Sequence, residues 1–234
     1  MAADWSADRL GPADGPVLAV FIHGGFWRAR FDAGAIAELA TECGRDGYWT
    51  WNVEYPRVGM AGGGWPGTAL AVRDAVRAAI LAAGGRPVAL VGHSAGGHLA
   101  LWAAGECPVA EVVSLAGVCD LQAAVAARLG AGAVLDFLGA DPGADPGADR
   151  AADVFAAASP IARLPLGVPA LLIHGDADHN VPIEQSRSYA AAAAAAGDRC
   201  RLLELPGADH FELVDPRGRA WPVIADTLAT LAGG

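Results

Sequence analysis

The chain holds 234 residues, 53% of them apolar, with a formal net charge of −10. That length suits one large α/β domain with a sizeable core, and the lack of any basic cluster argues against nucleic acid and against anionic membrane surfaces as partners. All 16 basic residues are arginine, which excludes a phosphate-loop lysine, a Schiff-base lysine and a Ser-Lys dyad.

No uninterrupted run of apolar residues is long enough to predict a membrane span. The opening stretch MAADWSADRLGPADGP carries acids where a signal peptide needs basic residues and then an apolar segment, so a cytoplasmic protein is expected. Cys43, Cys107, Cys119 and Cys200 lie far apart with no C-x-x-C pair, and in that compartment they read as reduced thiols, mostly packed in the core. A homodimer stays open.

In chain order, residues 1–16 read as an N-terminal extension. VLAVFI (17–22) is a continuous apolar run and predicts a buried strand that ends in His-Gly-Gly. An alanine-rich helix near 32–44 carries Ile36, Leu39 and Ala40 on one face. GYWTWNVEY (47–55) is aromatic and β-branched and suits a second strand. A Gly/Pro loop over 56–67 then leads into a helix from Thr68 to Ala83. PVALVG (87–92) predicts a third strand, which turns at Ser94 into a helix through Trp102.

Further strands are predicted at EVVSLAG (111–117), VPALLIHG (168–175) and RCRLLELPG (199–207), with helices over 184–196 and 218–232. This alternation predicts βαβ units with right-handed crossovers: a single α/β domain over 1–234, with a mostly parallel sheet of about six strands and helices on both faces. Residues 120–167 stand apart as a partly helical excursion. Within it, GADPGADPGADRA (139–151) repeats Asp-Pro-Gly, cannot be regular structure, and reads as a flexible surface loop.

GHSAG (92–96) places Ser94 between an apolar strand and a helix. With 31 glycines and six serines in the chain, about 0.1 such matches arise by composition alone, so the placement carries the argument rather than the pattern. A serine on a sharp strand-to-helix turn needs small neighbours, and Gly92, Gly96 and Gly97 supply them. Its hydroxyl becomes a nucleophile only when a base, itself oriented by a carboxylate, takes the proton. His210 after the sixth strand and Asp178 after the fifth fit those roles, both at C-terminal strand ends, where open α/β sheets gather their sites.

Asp176 competes with Asp178, and His93, His98, His174 and His179 are rival histidines. His174 and His98 read as structural. The cluster of His174, Asp178 and His179 lacks further ligands, so no metal is expected. HGGFW (23–27) ends the first strand, and its glycines let backbone approach a substrate. The amides of Gly25, Phe26 and Ala95 are therefore the candidate oxyanion donors.

These three motifs, HGGFW, GHSAG and HGDAD…DHF, resemble the α/β-hydrolase superfamily from about Val17 to the C-terminus. The resemblance implies that the acid is the fourth residue of the loop counted from Gly175, which is Asp178. The sequence departs from that superfamily's pattern in two ways: the usual first two strands are expected to be missing or reduced, and no large lid domain is visible. Within the superfamily, the HGG-aromatic-Trp motif looks like the kynurenine formamidase (arylformamidase) branch and its esterase relatives.

The expected function is a serine hydrolase of a small-molecule ester or amide, working without a cofactor. The catalytic set is Ser94, His210 and Asp178, with His23, Gly24, Trp27, Trp65 and His93 as candidate substrate contacts and Arg28 or Arg57 as partners for a substrate carboxylate. A short-acyl carboxylesterase and a non-catalytic ligand receptor of the same fold are the alternatives.

Overall fold

A computed structural model describes residues 4–139 and 148–233. Seven strands form one sheet: β1 (Ser6–Leu10), β2 (Leu18–Ile22), β3 (Trp49–Glu54), β4 (Val88–His93), β5 (Glu111–Leu115), β6 (Ala170–Gly175) and β7 (Cys200–Leu205). Their order is β1-β3-β2-β4-β5-β6-β7, with every pairing parallel except β1 against β3. The six parallel strands are those the apolar runs predict. Strand β1 lies inside the segment read as an extension, pairing Ser6 with Glu54 and Leu10 with Thr50.

The helices are α1 (Ala37–Arg45), α2 (Gly67–Ala83), α3 (Ala95–Ala104), α4 (Leu121–Ala126), α5 (Ala133–Leu138), α6 (Ala148–Ala158), α7 (Glu184–Ala195) and α8 (Ala220–Ala232). Among the described residues, none is long and apolar enough to cross a membrane. A strand covered on both sides needs apolar side chains at both alternations, and β2 supplies them. Leu18, Val20 and Ile22 join the core under α2, α3 and α7, through Val72, Val76, Leu99 and Tyr189. Ala19 and Phe21 join the opposite core under α1 and α8, through Leu39, Trp221, Ile224 and Leu228.

The 120–167 excursion is helical where described: α4, α5 and α6 add Leu121, Val134, Phe137 and Phe155 to the core on the α3 side. Of the predicted flexible loop 139–151, residues 140–147 lie outside the described residues, and 148–151 are helical, forming the start of α6. Because six strands run parallel, their C-terminal ends open on one edge of the sheet, and the loops after β2, β4, β6 and β7 meet there.

Candidate active site

Strand β4 ends at His93 and α3 begins at Ala95, so Ser94 alone makes the turn. A reversal that abrupt forces an unusual backbone, and Ser94 sits at φ 58°, ψ −119°. Crowding explains the flanking glycines. A Cβ on Gly96 would lie 2.0 Å from the carbonyl oxygen of Ile22, and one on Gly92 would lie 2.2 Å from that of Gly96. Ala95 opens α3, so its amide is one of those a helix leaves without an internal acceptor, and the helix dipole adds positive potential there.

Asp178 and His210 come from the loops after β6 and β7 and meet across 32 residues of sequence. His210 Nδ1 donates to Asp178 Oδ2 at 2.6 Å, while Oδ1 accepts from the amides of Asn180 at 2.8 Å and Val181 at 2.9 Å. Burial alone would raise this carboxyl. The bonds from His174, His210 and the Val181 amide outweigh it and hold Asp178 ionised, well below the usual carboxylate range. With the Nδ1–H engaged in the hydrogen bond to the carboxylate, Nε2 is the nitrogen of His210 that carries the free lone pair. His93 Nε2 donates to the backbone carbonyl of His210 at 3.0 Å. Burial, and then the neighbouring His210, push His93 down to about 3, so it is a neutral prop for that backbone.

The loop after β2 is held from beneath. His23 Nδ1 donates to the carbonyl of Gly24 at 2.8 Å, and its Nε2 accepts from Arg57 at 3.2 Å. Tyr55 stacks on the imidazole with 4.2 Å between ring centroids and donates its hydroxyl proton to the His23 carbonyl at 2.6 Å. Arg57 is buried and ion-paired with Glu54. The loop then takes three left-handed residues in a row: Gly25 (φ 109°), Phe26 (φ 52°) and Trp27 (φ 56°). A side chain at Gly25 would also collide with Phe31, its Cβ lying 2.4 Å from Phe31 Cβ.

A cavity of about 170 Å³ brings Ser94, His93 and His210 together with Gly24, Gly25 and Phe26. The same cavity is lined by Arg30, Phe31, Asn180 and Phe211, which the sequence reading did not single out. Asp178 sits behind His210, and Ala95 is buried directly beyond the serine. A larger apolar hollow of about 650 Å³, bordered by Val125, Leu129 and Leu135, holds none of these groups.

Three expected substrate contacts lie elsewhere. Trp27 is fully buried, donating its indole proton to His98 and stacking on Phe137 at 4.7 Å, because the left-handed turn at 26–27 swings its side chain into the core. His23 is fully buried, with both ring nitrogens engaged inside the loop. Trp65 packs edge-on against Trp102 and does not line the cavity. The two arginines suggested for a substrate carboxylate are also engaged: Arg28 bonds Asp136 at 3.1 Å and Arg57 pairs with Glu54.

The rival acids and bases have other partners. Asp176 accepts from the Gly207 amide at 2.5 Å. His98 Nε2 donates to the Ala158 carbonyl at 2.9 Å, and His174 bridges Ser186 and the Val181 carbonyl while its Nε2 lies 3.4 Å from Asp178 Oδ2, a support for the acid rather than a base. His179 is exposed and does not line the cavity. Among the described residues, no group of three or more His, Cys, Asp or Glu side chains is placed to hold a metal ion.

The architecture has close counterparts. An esterase from Thermogutta terrifontis, solved with propionate bound, aligns over 98% of this chain and 90% of its own at a TM-score of 0.72 and 23% identity. An acetyl ester-xyloside bifunctional hydrolase from Caldicellulosiruptor lactoaceticus aligns over 98% and 88% at a TM-score of 0.76 and 19% identity. In sequence, 65 residues are 45% identical to Esterase LipC of Mycobacterium tuberculosis, a stretch spanning 26% of this chain and 16% of that protein. The sequence also matches the prolyl oligopeptidase family (Peptidase_S9), over residues 69–229. That range takes in the serine turn, the loop after β6 and the loop after β7, and it exceeds half the sequence. The chain therefore belongs to the prolyl oligopeptidase family and has the α/β-hydrolase fold.

Proposed function

We propose that the protein hydrolyses small carboxylic esters through an acyl-enzyme on Ser94. The observation that carries this reading is the 2.6 Å bond from His210 to buried Asp178, with His210 and Ser94 lining one cavity opposite the glycine loop. Ser94 Oγ attacks the carbonyl carbon while its proton passes to His210 Nε2. The resulting oxyanion faces the amides of Gly25, Phe26 and Ala95, each donor contributing about 3 kcal/mol of transition-state stabilisation. As the tetrahedral intermediate collapses, the leaving alkoxide takes the proton from His210. Water then adds to the acyl-enzyme by the same proton route and releases the acid. Asp178 stays ionised throughout and holds the imidazole in place.

A cavity of 170 Å³ equals about six water volumes, which favours short acyl groups. The likeness to esterases of Thermogutta terrifontis and Mycobacterium tuberculosis supports ester over peptide substrates. The HGGFW loop supports a second reading, a formamide hydrolase of the arylformamidase type. The deciding measurement is kcat/KM on N-formylkynurenine beside a short-chain nitrophenyl ester, with Ser94→Ala as the blank. Efficient Ser94-dependent turnover of the formyl amide selects the formamidase, and ester turnover alone selects the esterase. No Ser94-dependent turnover of either would leave a ligand-binding protein.

A further inference from the structure

The loop after β2 carries or touches three arginines, and only one is left over. Arg28 bonds Asp136 and the Ala131 carbonyl, and Arg57 is buried against Glu54 and His23. Arg30 is exposed, lines the cavity that contains Ser94 and His210, and makes no hydrogen bond or ion pair among the described residues. It is not adrift. Its guanidinium lies over the ring of Phe31 at 4.8 Å, a cation–π placement, and Phe31 is itself packed against Gly25 of the oxyanion loop.

Among the described residues no aspartate or glutamate lines the cavity and Arg30 is its one permanent charge, in a protein whose net charge is −10. The rest of the rim is largely aromatic, completed by Ala35 and Asn180. Phe26 and Phe31 flank the loop side, and Phe211, next to His210, is 64% exposed despite being apolar. Phe211 is exposed and Phe26 and Phe31 are half-buried, so the three rings give the cavity mouth an apolar wall against which a flat ligand can pack. A guanidinium among such rings recognises a flat group bearing a carboxylate or similar anion, through charge-assisted hydrogen bonds.

Resting on the hydrolase reading above, we propose that the substrate's leaving group is aromatic and anionic, with its charge bound by Arg30 and its ring held between Phe31 and Phe211. Arg30 is then a specificity-determining residue, and the acyl side remains small.

The test compares 4-acetoxybenzoate with 4-acetoxybenzamide, and their 3-isomers, each rate normalised to its hydroxide-catalysed hydrolysis. The readout is the ratio of kcat/KM for the anionic over the neutral ester. The wild type should give a ratio of about tenfold or more at low ionic strength, falling as salt is added. Arg30→Gln should bring the ratio to about one, Arg30→Glu below one, and Arg30→Lys should keep much of it. Arg45→Gln, at an exposed arginine on α1 paired with Glu42, should match the wild type. The proposal is overturned if the wild type shows no preference for the anion, or if Arg30→Gln leaves the ratio where it was. Absence of any Ser94-dependent hydrolysis of these esters would instead overturn the hydrolase reading beneath it.

Discussion

The indole N–H of Trp27 donates to Nδ1 of His98 at 3.3 Å, joining the loop after β2 to α3 one turn beyond Ser94. His98 passes the bond on through Nε2 to the Ala158 carbonyl in α6. Burial pushes this histidine down to about 4, so it stays neutral and needs a donor at Nδ1. Trp27→Phe keeps the stack on Phe137 but removes that donor. It should cost about 1–3 kcal/mol, and Trp27→Ala about 3–5 kcal/mol. Urea unfolding followed by circular dichroism reads both, and a Trp27→Phe cost near zero would mean the hydrogen bond contributes nothing beyond packing.

The two carboxylates of the loop after β6 should separate sharply. Asp178→Asn removes the charge that fixes the His210 tautomer and should lower kcat about 10⁴-fold with the fold retained. Asp176 is exposed and serves only the Gly207 amide, so Asp176→Asn should stay within about tenfold. Steady-state kinetics on one ester distinguishes them, and the reverse order would give the role to Asp176.

Gly25→Ala asks for a Cβ at φ 109° and within 2.4 Å of Phe31. The loop must then shift, moving the Gly25 and Phe26 amides away from the oxyanion position. A fall in kcat of about 10²-fold or more is expected, with KM changed much less. A loss confined to KM would place these amides in ground-state binding alone.

Glu54 ties loop support to pH. Burial raises its carboxyl, but contact with His23, the Ala33 amide at 3.0 Å and the charge of Arg57 more than reverse this, holding it at about 2 against an ordinary 4.5. A carboxyl lowered by folding stabilises the native state above its unfolded value, and that contribution is lost as pH falls toward the folded value. The gap in thermal midpoint between wild type and Glu54→Gln should be constant above pH 5 and shrink between 4.5 and 2. A gap that does not vary with pH would show that the native carboxyl is not held low.

The parallel strands were legible because doubly covered strands are continuous apolar runs, as in LAVFI and ALLIHG. Strand β1 was not, because SADRL is an edge strand with exposed polar residues and no alternation to read. Ser94, Asp178 and His210 stood out since each directly follows a legible strand. Misplacing Trp27 has a backbone cause: two consecutive left-handed residues send the side chain inward, and no pattern of residue types encodes that turn. Arg30 and Phe31 were passed over because their approach to Ser94 depends on that same path. Phe211, adjacent to His210, was within reach of a reading that asked why a phenylalanine follows the base.

The underpinning of the glycine loop by Glu54, Tyr55 and Arg57 has a consequence for transplantation. Residues 23–27 do not fold as a portable cassette, because their shape is written partly in VEYPR, thirty positions later. A chimera that imports HGGFW without the end of β3 would carry the right letters with no scaffold beneath them. The unit of exchange among such enzymes is the pair of segments, and grafts that cut between them should fail together.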